Sequence, residues 1–359
     1  MIDDAPDGGF RRTAGPGSGP GGTPTAIALS PILSARYRSR DLDLIRAAAP
    51  GARIVTLSRE GLTDEPVEDV EVLLRGWLSS DAFDRLLARA PRLNYVHSAS
   101  AGVERALTPA ARERGLVITN ARGVFSRPIA EYVLMMILAV SRRLPGLLEL
   151  QRERTWQPLE GVELRDVTVG IVGLGSIGRA VGALATAFGC RVVAVRRRGD
   201  GGTSGVDVEV DGRSIGEVML DRVGGPGSMP QLLAESDFVV LAAPLTPETE
   251  NMIDEGALAM MKSSAWLINV ARGRLVDERA LLDALRAGRI GGAVLDTFRE
   301  EPLPPTSAFY DLGNVIVTPH TSWSSGRVLD RSVELFCDNL RRYAAGEPLL
   351  NVVDPTAGY

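Results

Sequence analysis

The sequence predicts an α/β protein made of doubly wound parallel sheets, and three features support this fold class. Segments typical of strands and of helices alternate along most of the 359 residues, as they do in βαβ units. Several strand segments are continuous apolar runs, which suits strands buried on both faces of a parallel sheet. A glycine-rich turn, Gly173 to Gly178, joins one such run to a helical pattern. The length of the chain predicts two domains.

The N-terminal part of the chain predicts a tail followed by a small parallel α/β domain. Residues 1–25 are rich in glycine and proline and have almost no apolar residues, which indicates a disordered tail. Alternating strands and helices then begin at Ala26. The predicted strands are Ala26–Leu33, Arg53–Leu57, Val70–Trp77, Leu93–Ser98 and Leu116–Asn120, and the helices are Asp41–Ala49, Asp81–Ala90 and Val103–Arg114.

A long helix is predicted at Ile129–Leu144, and it is apolar almost all round. Such a helix must be buried on most of its faces. A subunit interface and an internal core position both meet this requirement, and the sequence alone does not separate them.

The remainder of the chain predicts a doubly wound sheet of about six or seven strands, because strands keep recurring after helices. Gly199–Pro230 is a glycine-rich excursion without a clear period, and no function is predicted for it. The predicted strands are Val167–Val172, Arg191–Val195, Asp237–Ala243, Ala265–Val270, Ala293–Thr297 and Val315–Val317, and helices follow Gly178 and occupy Gln231–Glu235, Asp277–Ala287 and Arg327–Ala345.

The turn between Val172 and the next helix has the spacing G-x-G-x-x-G, which in this strand-turn-helix context predicts a dinucleotide site. Gly173 permits the tight turn, Gly175 lets the backbone approach a pyrophosphate, and Gly178 lets the helix pack closely on the strand. The N-terminus of the helix offers free N–H groups to the phosphates.

Composition and charge argue against several classes of protein. The chain is 45% hydrophobic and 24% charged with a net charge of −5, so nothing indicates binding to nucleic acid or to an acidic membrane. Its two cysteines, Cys190 and Cys337, form no disulfide framework. The longest apolar run, Ile129–Val140, is too short to span a bilayer. The N-terminus lacks a signal-peptide pattern, so we expect a cytoplasmic protein, and we predict no metal site.

An arginine, carboxylates and a histidine follow three successive predicted strands: Arg272, then Asp296 and Glu301, then His320. Ligands of open α/β sheets bind beyond the carboxyl ends of strands, so these groups should meet at the edge that holds the glycine turn. A guanidinium suits a carboxylate or a polarised carbonyl, and a histidine oriented by a carboxylate exchanges a proton near neutral pH. With a nicotinamide, this set predicts hydride transfer between a ketone and an alcohol.

The segments GLGSIG, LINVARGRLVDERAL, GAVLDTFREEPLP and NVIVTPH resemble those of the D-2-hydroxyacid dehydrogenase family, over most of the chain from about Ile27 onward. The resemblance implies that Arg272 binds the 2-oxo acid, that His320 donates a proton to its carbonyl oxygen and that Glu301 pairs with His320. It implies that Asp296 lies near the nicotinamide carboxamide.

The same resemblance implies the rest of the binding residues. The loop Ser98–Val103 resembles the family's loop whose backbone N–H groups bind the substrate carboxylate. His97 lies beside this loop and is interpreted as structural. Cofactor contacts are expected from Gly173, Leu174, Gly175, Ser176, Ile177, Gly178, Arg196, Arg197, Ala243, Pro244, Thr249, Val270, Ala271, Arg272, Asp296, His320 and Ser322. Substrate contacts are expected from Arg75, Arg272, His320 and the backbone N–H groups of Ser100, Ala101 and Gly102.

The resemblance also implies the architecture. Two Rossmann-like or flavodoxin-like domains would enclose a cleft, with a substrate domain of residues 26–120 and 324–359 and a NAD(P)-binding domain of residues 121–323. The helix at 129–144 would form a homodimer interface.

One position departs from the NAD-type pattern. Counted from Gly178, the place of the acid that bonds the ribose 2′-OH is held by Arg196, with Arg197 and Arg198 beside it. Arginines attract a 2′-phosphate, so NADP(H) is preferred and NAD(H) is possible, although a solvated basic turn would give the same pattern.

We therefore predict an NADP(H)-preferring oxidoreductase that reduces a small 2-oxo acid, similar to glyoxylate or hydroxypyruvate, to the D-2-hydroxy acid. The ending GEPLLNVVDPTAGY, similar to that of glyoxylate/hydroxypyruvate reductases, favours a small substrate. Two other interpretations are a non-enzymatic dinucleotide-sensing scaffold similar to the family's corepressors, and an NAD-specific dehydrogenase of a bulkier acid.

Overall fold

The chain divides into two compact units in the computed structural model, which describes residues 21–32, 37–197, 206–210 and 213–355. The first unit holds the described residues up to Ala121 and those from Leu329 onward, and the second is Arg122–Val328. The predicted tail lies outside the described residues as far as residue 20. The end of the predicted tail is attached to the rest of the first unit, because the Gly22 amide donates a hydrogen bond to the Ala344 carbonyl oxygen (2.7 Å).

The first unit is built on a five-stranded parallel sheet that contains all five predicted strands. The predicted helix Val103–Arg114 is shorter in the structure, because the Thr108 hydroxyl caps the helix and Pro109 begins it. The elements are β1 (Ala26–Leu29), α1 (Ser39–Ala48), β2 (Arg53–Thr56), β3 (Val70–Arg75), α2 (Ser80–Arg89), β4 (Tyr95–Ser98), α3 (Pro109–Glu113) and β5 (Val117–Asn120). The strand order is β2-β1-β3-β4-β5.

The helix predicted at Ile129–Leu144 is two helices, α4 (Ser126–Ser141) and α5 (Leu144–Arg152). Arg143 between them has a left-handed φ of 57°, which interrupts the helical path. One face of α4 lies in the core, but Met135 is 51% exposed and no residue of α5 is buried. The expectation that this segment is buried on most faces is therefore wrong within one chain. Among the described helices, none combines the length and apolarity needed to cross a membrane.

The second unit is built on a seven-stranded parallel sheet. The chain then returns to the first unit as α10 (Val328–Ala345). The elements after α5 are β6 (Thr168–Val172), α6 (Ser176–Ala187), β7 (Arg191–Val195), β8 (Val206–Val210), β9 (Arg213–Val218), β10 (Arg222–Gly224), α7 (Met229–Glu235), β11 (Phe238–Leu241), α8 (Glu255–Met260), β12 (Trp266–Asn269), α9 (Glu278–Arg286), β13 (Gly292–Leu295) and β14 (Val315–Val317).

The strand order of the second sheet is β10-β7-β6-β11-β12-β13-β14, so the direction of winding reverses between β6 and β11. This is the dinucleotide-binding order, and that of the first sheet is the flavodoxin order. Apolar clusters cover both faces of each sheet. The prediction of two doubly wound parallel α/β domains is confirmed. In such sheets the switch point at the carboxyl end of β6 is where ligands bind.

The segment Gly199–Pro230, whose sequence has no clear period, contains three strands among its described residues. Strands β8 and β9 pair in antiparallel fashion, and β10 becomes the edge strand beside β7. Val208 and Val218 are buried in the cluster that includes α6. Gly182 on α6 makes room for this packing, because a Cβ there would lie 2.7 Å from Cγ2 of Val218. Residues 199–205 and 211–212 of this segment, and Arg198 before it, lie outside the described residues.

His97 of β4 is a core residue of the first unit with no exposed surface. Its Nδ1 lies 2.7 Å from the Thr119 hydroxyl, and its ring packs at 5.6 Å from that of Phe336 on α10. Its Nε2 has no hydrogen-bond partner among the described residues. Burial lowers the pKa of His97 from 6.5 to about 3, so the ring stays neutral in the folded protein.

This buried histidine predicts a loss of stability in acid. Below its unfolded pKa, the unfolded chain binds a proton that the folded chain excludes, so stability falls as the pH drops from about 6.5 toward 3. At pH 5 the loss from His97 amounts to about 2 kcal/mol. Urea unfolding at pH 7 and at pH 5 should show a smaller loss in His97→Gln than in the wild type, and equal losses would contradict the assignment.

Candidate active site

The glycine turn at the carboxyl end of β6 is shaped by close backbone contacts. Gly173 has a φ of 101°, and a Cβ there would lie 2.6 Å from the Ala243 nitrogen after β11. A Cβ on Gly178 would overlap the Gly173 carbonyl oxygen. Gly175, by contrast, is exposed with open space where a Cβ would be. The turn therefore leaves room for a group to approach the backbone at Gly175, at the N-terminus of α6, and the residues present fit a dinucleotide pyrophosphate.

Arg272 follows β12 and is half-buried. Its guanidinium donates to the Ala271 carbonyl oxygen (2.7 Å). The backbone carbonyl oxygen of Arg272 accepts from the side-chain Nδ2 of Asn269 (3.0 Å). The next residue, Gly273, fits only because it lacks a side chain, since a Cβ there would overlap the backbone of Phe298. This close approach places the loop after β12 against the loop after β13, which carries Glu301.

Glu301 and His320 form the central pair of the site. Nδ1 of His320 lies 2.8 Å from Oε2 of Glu301, and Oε1 of Glu301 accepts from the Phe298 amide (3.0 Å). The two side chains are 38% and 39% exposed, so the pair faces solvent in part. Because Nδ1 is held by the carboxylate, Nε2 is the ring nitrogen placed to exchange a proton with a ligand.

The Glu301 carboxylate keeps its negative charge. Partial burial, the largest single influence, would raise the pKa of Glu301, but the hydrogen bonds from His320 and from the Phe298 amide and the charges of His320 and Arg272 together lower it. Because Gly273 lies against the Phe298 backbone and β12, β13 and β14 are neighbours in the sheet, Arg272, Glu301 and His320 lie at one edge of it. The second unit thus combines a cation, an anion and a proton-exchanging ring.

Asp296, at the end of β13, holds the turn that carries His320. Its carboxylate is fully buried and accepts from the Thr318 hydroxyl (2.6 Å), the Thr321 amide (2.8 Å) and the Ser322 amide (2.9 Å). A carboxylate has about four acceptor positions, and the turn after β14 uses three of them. His320 has a φ of 48°, an uncommon backbone conformation that surrounding bonds must hold.

The other predicted cofactor residues surround the glycine turn in different ways. Leu174, Val270 and Ala271 are buried, and Ile177 packs against the core. The Thr249 hydroxyl donates to the Pro244 carbonyl oxygen (2.8 Å) and so closes the loop after β11.

Arg196 leaves β7 directly beside the glycine turn, because the Gly173 amide donates to the Val195 carbonyl oxygen (2.8 Å). Arg197 is exposed. The pKa of Glu248 is lowered chiefly by its hydrogen bond with Thr246 and in smaller part by the charge of Arg197. Arg196 therefore begins the segment next to the glycine turn, and Arg197 follows it in sequence.

In the first unit, the loop after β4 is pinned by its carbonyl oxygens. The Ser100 carbonyl oxygen accepts from the Ala121 amide (3.1 Å), and that of Ala101 accepts from the Asn120 side chain (2.9 Å). Within the described part of the chain, the N–H groups of Ala101 and Gly102 have no hydrogen-bond partner. Two adjacent free N–H groups suit a carboxylate.

Arg75 lies differently from what its predicted substrate contact requires. It is only 3% exposed, and its guanidinium donates to the carbonyl oxygens of Leu78 (2.6 Å) and Arg105 (3.0 Å). It also lies 5.4 Å from the ring of Phe83. These contacts give it a packing role, and its contact with substrate stays a prediction.

Sequence reasoning missed two hydroxyl groups next to the site. Thr318 directly follows β14, so its position was a usable signal, but attention fell on His320. The Tyr132 hydroxyl, 2.6 Å from that of Thr318, comes from the apolar helix α4, where its spacing gives no sign of a polar contact.

Comparison with known proteins identifies one family. Residues 134–322 match the family model described as "D-isomer specific 2-hydroxyacid dehydrogenase, NAD binding domain". The chain is 33% identical to a glyoxylate reductase of Korarchaeum cryptofilum over 324 residues, which is 88% of this chain and 90% of that protein. It is 35% identical to a D-3-phosphoglycerate dehydrogenase of Mycobacterium tuberculosis over 80% of this chain but only 51% of that protein.

Solved structures give the same result. A D-isomer specific 2-hydroxyacid dehydrogenase from Xanthobacter autotrophicus, in complex with NADPH and MES, has a TM-score of 0.76 and 31% identity, and covers 95% of this chain and 100% of its own. An NADPH-dependent glyoxylate/hydroxypyruvate reductase from Sinorhizobium meliloti, in complex with NADP and sulfate, has a TM-score of 0.75 and 26% identity, with coverage of 93% and 100%.

The contrast between two glycines of the turn is testable. Gly173→Ala should destabilise the fold, because its φ of 101° and the close Ala243 nitrogen leave no place for a side chain. Gly175→Ala should keep wild-type stability but weaken dinucleotide binding by about tenfold or more, because its methyl group occupies the space that a phosphate approaches. Urea unfolding and calorimetric titration with NADPH measure the two effects. Unchanged NADPH binding in Gly175→Ala would contradict this placement of the phosphates.

Proposed function

The chain belongs to the D-isomer specific 2-hydroxyacid dehydrogenase family, and on that premise we propose that it reduces a small 2-oxo acid to the D-2-hydroxy acid with NADPH. The single observation that carries the proposal is that Arg272, Glu301 and His320 follow three neighbouring strands of one sheet, with His320 Nδ1 2.8 Å from Oε2 of Glu301. The alternation of strands and loops sets this cluster and the glycine turn at carboxyl ends of strands in one sheet.

Arg272 binds the substrate in this proposal. Its guanidinium offers several donors in a planar fork, which suits the carboxylate and the carbonyl oxygen of a 2-oxo acid. In the first unit, the N–H groups of Ala101 and Gly102, which have no partner among the described residues, suit a carboxylate by themselves. The cation also polarises the carbonyl, so negative charge that develops on its oxygen is stabilised.

His320 supplies the proton. A nicotinamide held at the glycine turn would supply the hydride. His320 contributes a proton, which Nε2 donates to the carbonyl oxygen of the substrate. Glu301, which its lowered pKa keeps ionised, accepts a hydrogen bond from Nδ1 and so leaves Nε2 as the nitrogen that exchanges the proton. In the reverse reaction the neutral ring accepts the proton from the hydroxyl group.

Three features support NADP(H) as the preferred cofactor. Arg196 stands beside the glycine turn where an NAD-type site has an acid, and Arg197 follows it. Two structurally similar proteins of this family are in complexes with NADPH or NADP. A small substrate is supported by the similarity to glyoxylate reductases from several organisms. The cytoplasmic location expected from the sequence stays a prediction.

A homodimer is supported by an apolar surface on α4 and α5. It surrounds a groove of about 550 Å³ that Leu134, Met135, Leu138, Leu144 and Leu147 line in part. A helix of nine residues is marginal in water by itself, and α5 has no buried residue. A second copy of the chain would cover both helices through a two-fold interface.

Substrate and cofactor are tested together by following the loss of NADPH or NADH absorbance with a panel of 2-oxo acids. The wild type should turn over glyoxylate-sized acids with NADPH. Arg196→Asp should lower kcat/KM for NADPH by about 10- to 100-fold, because a carboxylate replaces the partner of the 2′-phosphate, and lower that for NADH much less. An equal fall for both cofactors would remove the argument for the phosphate. No turnover with any acid would contradict the proposed activity and favour a dinucleotide-sensing scaffold.

The proton donor is tested with two variants. His320→Ala should bind NADPH normally but lose about 100-fold or more in kcat, because no acid protonates the alkoxide oxygen that forms at C2. Glu301 accepts from the Phe298 amide with one oxygen and from Nδ1 of His320 with the other, whereas Glu301→Gln has only one acceptor oxygen. It should therefore orient the ring less well and lower kcat by about tenfold. Near-normal turnover in His320→Ala, or an unchanged kcat in Glu301→Gln, would contradict these roles.

The dimer is tested by Met135→Asp, which puts a charge into the exposed apolar surface of α4. This variant should be a monomer by light scattering, because an unpaired carboxylate in an interface is costly. Met260→Asp is the matched control, since Met260 is 45% exposed on α8, away from the groove. A monomeric wild type, or a dimeric Met135→Asp, would contradict the proposed interface.

A further inference from the structure

A chain of hydroxyl groups links helix α4 to the turn that carries His320. The Tyr132 hydroxyl lies 2.6 Å from Thr318 Oγ1, and Thr318 Oγ1 lies 2.6 Å from Oδ1 of Asp296. An ionised carboxylate only accepts hydrogen bonds, so the Thr318 hydroxyl donates to Asp296. The Tyr132 hydroxyl must therefore donate to Thr318, so both hydrogen bonds run in one direction, from Tyr132 toward Asp296.

Asp296, the last group of these linked hydrogen bonds, holds the backbone on both sides of His320. Asp296 bonds Thr318 two residues before the histidine and the amides of Thr321 and Ser322 just after it. The His320 amide donates to the Thr318 carbonyl oxygen (3.1 Å). Since His320 has a φ of 48°, a conformation that few residues adopt unaided, the turn depends on these bonds for its shape.

Tyr132 is suited to a permanent bond. It is 8% exposed in the core of the second unit, and Trp323, beyond the turn, packs against the same apolar cluster. Burial raises the pKa of Tyr132 to about 12; its bond with Thr318 lowers it and the charge of Asp296 raises it. The phenol therefore remains a donor throughout the pH range of an enzyme assay.

We propose that Tyr132 is a positioning residue for the proposed reduction, acting through Thr318 and Asp296 to fix the imidazole of His320 against Glu301. Tyr132 touches neither His320 nor Glu301 through any described contact, so its effect passes through the turn. This inference rests on the proposed function, because the ring that it positions is the proposed proton donor.

Kinetics give the first test. Tyr132→Phe removes only the hydroxyl group and should lower kcat about five- to tenfold, with KM values for NADPH and the 2-oxo acid within about twofold of the wild type. Thr318→Val should lower kcat at least as much, and Thr318→Ser, which keeps the hydroxyl, should restore it. The double variant Tyr132→Phe/Thr318→Val should be no slower than Thr318→Val alone, because both changes interrupt the same series of hydrogen bonds.

The matched control is Tyr343→Phe. Tyr343 is also a buried tyrosine, and its hydroxyl donates to Oδ1 of Asn94 (2.9 Å) in the first unit. Its removal should leave kcat unchanged. If it lowered kcat as Tyr132→Phe does, the effect would reflect general loss of stability and the proposal would fail.

The second readout does not depend on activity. The chain has two histidines, so NMR of protein labelled at the histidine Cε1 carbons gives two ring signals. Tyr132→Phe should shift or split the His320 signal and leave that of the buried His97 in place, whereas Tyr343→Phe should not move the His320 signal. If the wild type reduces no 2-oxo acid, the proposed function fails, and this NMR comparison alone decides whether Tyr132 positions the ring. An unmoved His320 signal in Tyr132→Phe, or an unchanged kcat in an active enzyme, overturns the proposal.

Discussion

The buried carboxylate of Asp296 is the interaction on which the polar cluster of the second unit depends. It lies just after β13, the strand next to edge strand β14, has no exposed surface and receives three donors from the turn after β14. A buried charge is tolerated only when it is well bonded, so the turn has little freedom to move. That constraint keeps His320 in an uncommon backbone conformation within 2.8 Å of Glu301.

Much of the fold could be predicted because buried parallel strands carry a strong signal. Runs such as Phe238–Leu241 are apolar at every position, and the structure places them at the centre of a sheet. The break between α4 and α5 was missed because Arg143 enters the left-handed region, which glycine or asparagine more often marks. The β8–β9 pair was missed because its burial depends on contacts with α6, far away in sequence.

The candidate site was predictable where strand ends expose it. Arg272, Glu301 and His320 follow successive strands, so topology alone brings them to one edge. Tyr132 was not predictable, since a phenol in an apolar helix shows no partner until the sheet and helix are packed. Arg75 shows the limit of this signal: it ends a strand, yet its Nη2 donates to two backbone carbonyl oxygens and its Nε has no partner among the described residues. Its contact with substrate stays a prediction.

In the proposed function, the polar cluster of the second unit binds a 2-oxo acid so that hydride passes from NADPH to one face of its C2 carbon. This transfer is tested most directly with NADPH that carries deuterium at the transferred position of the nicotinamide C4, followed by chiral and mass analysis of the product. The account predicts the D-2-hydroxy acid with deuterium at C2. A product of the L configuration, or a D product without deuterium at C2, would contradict it.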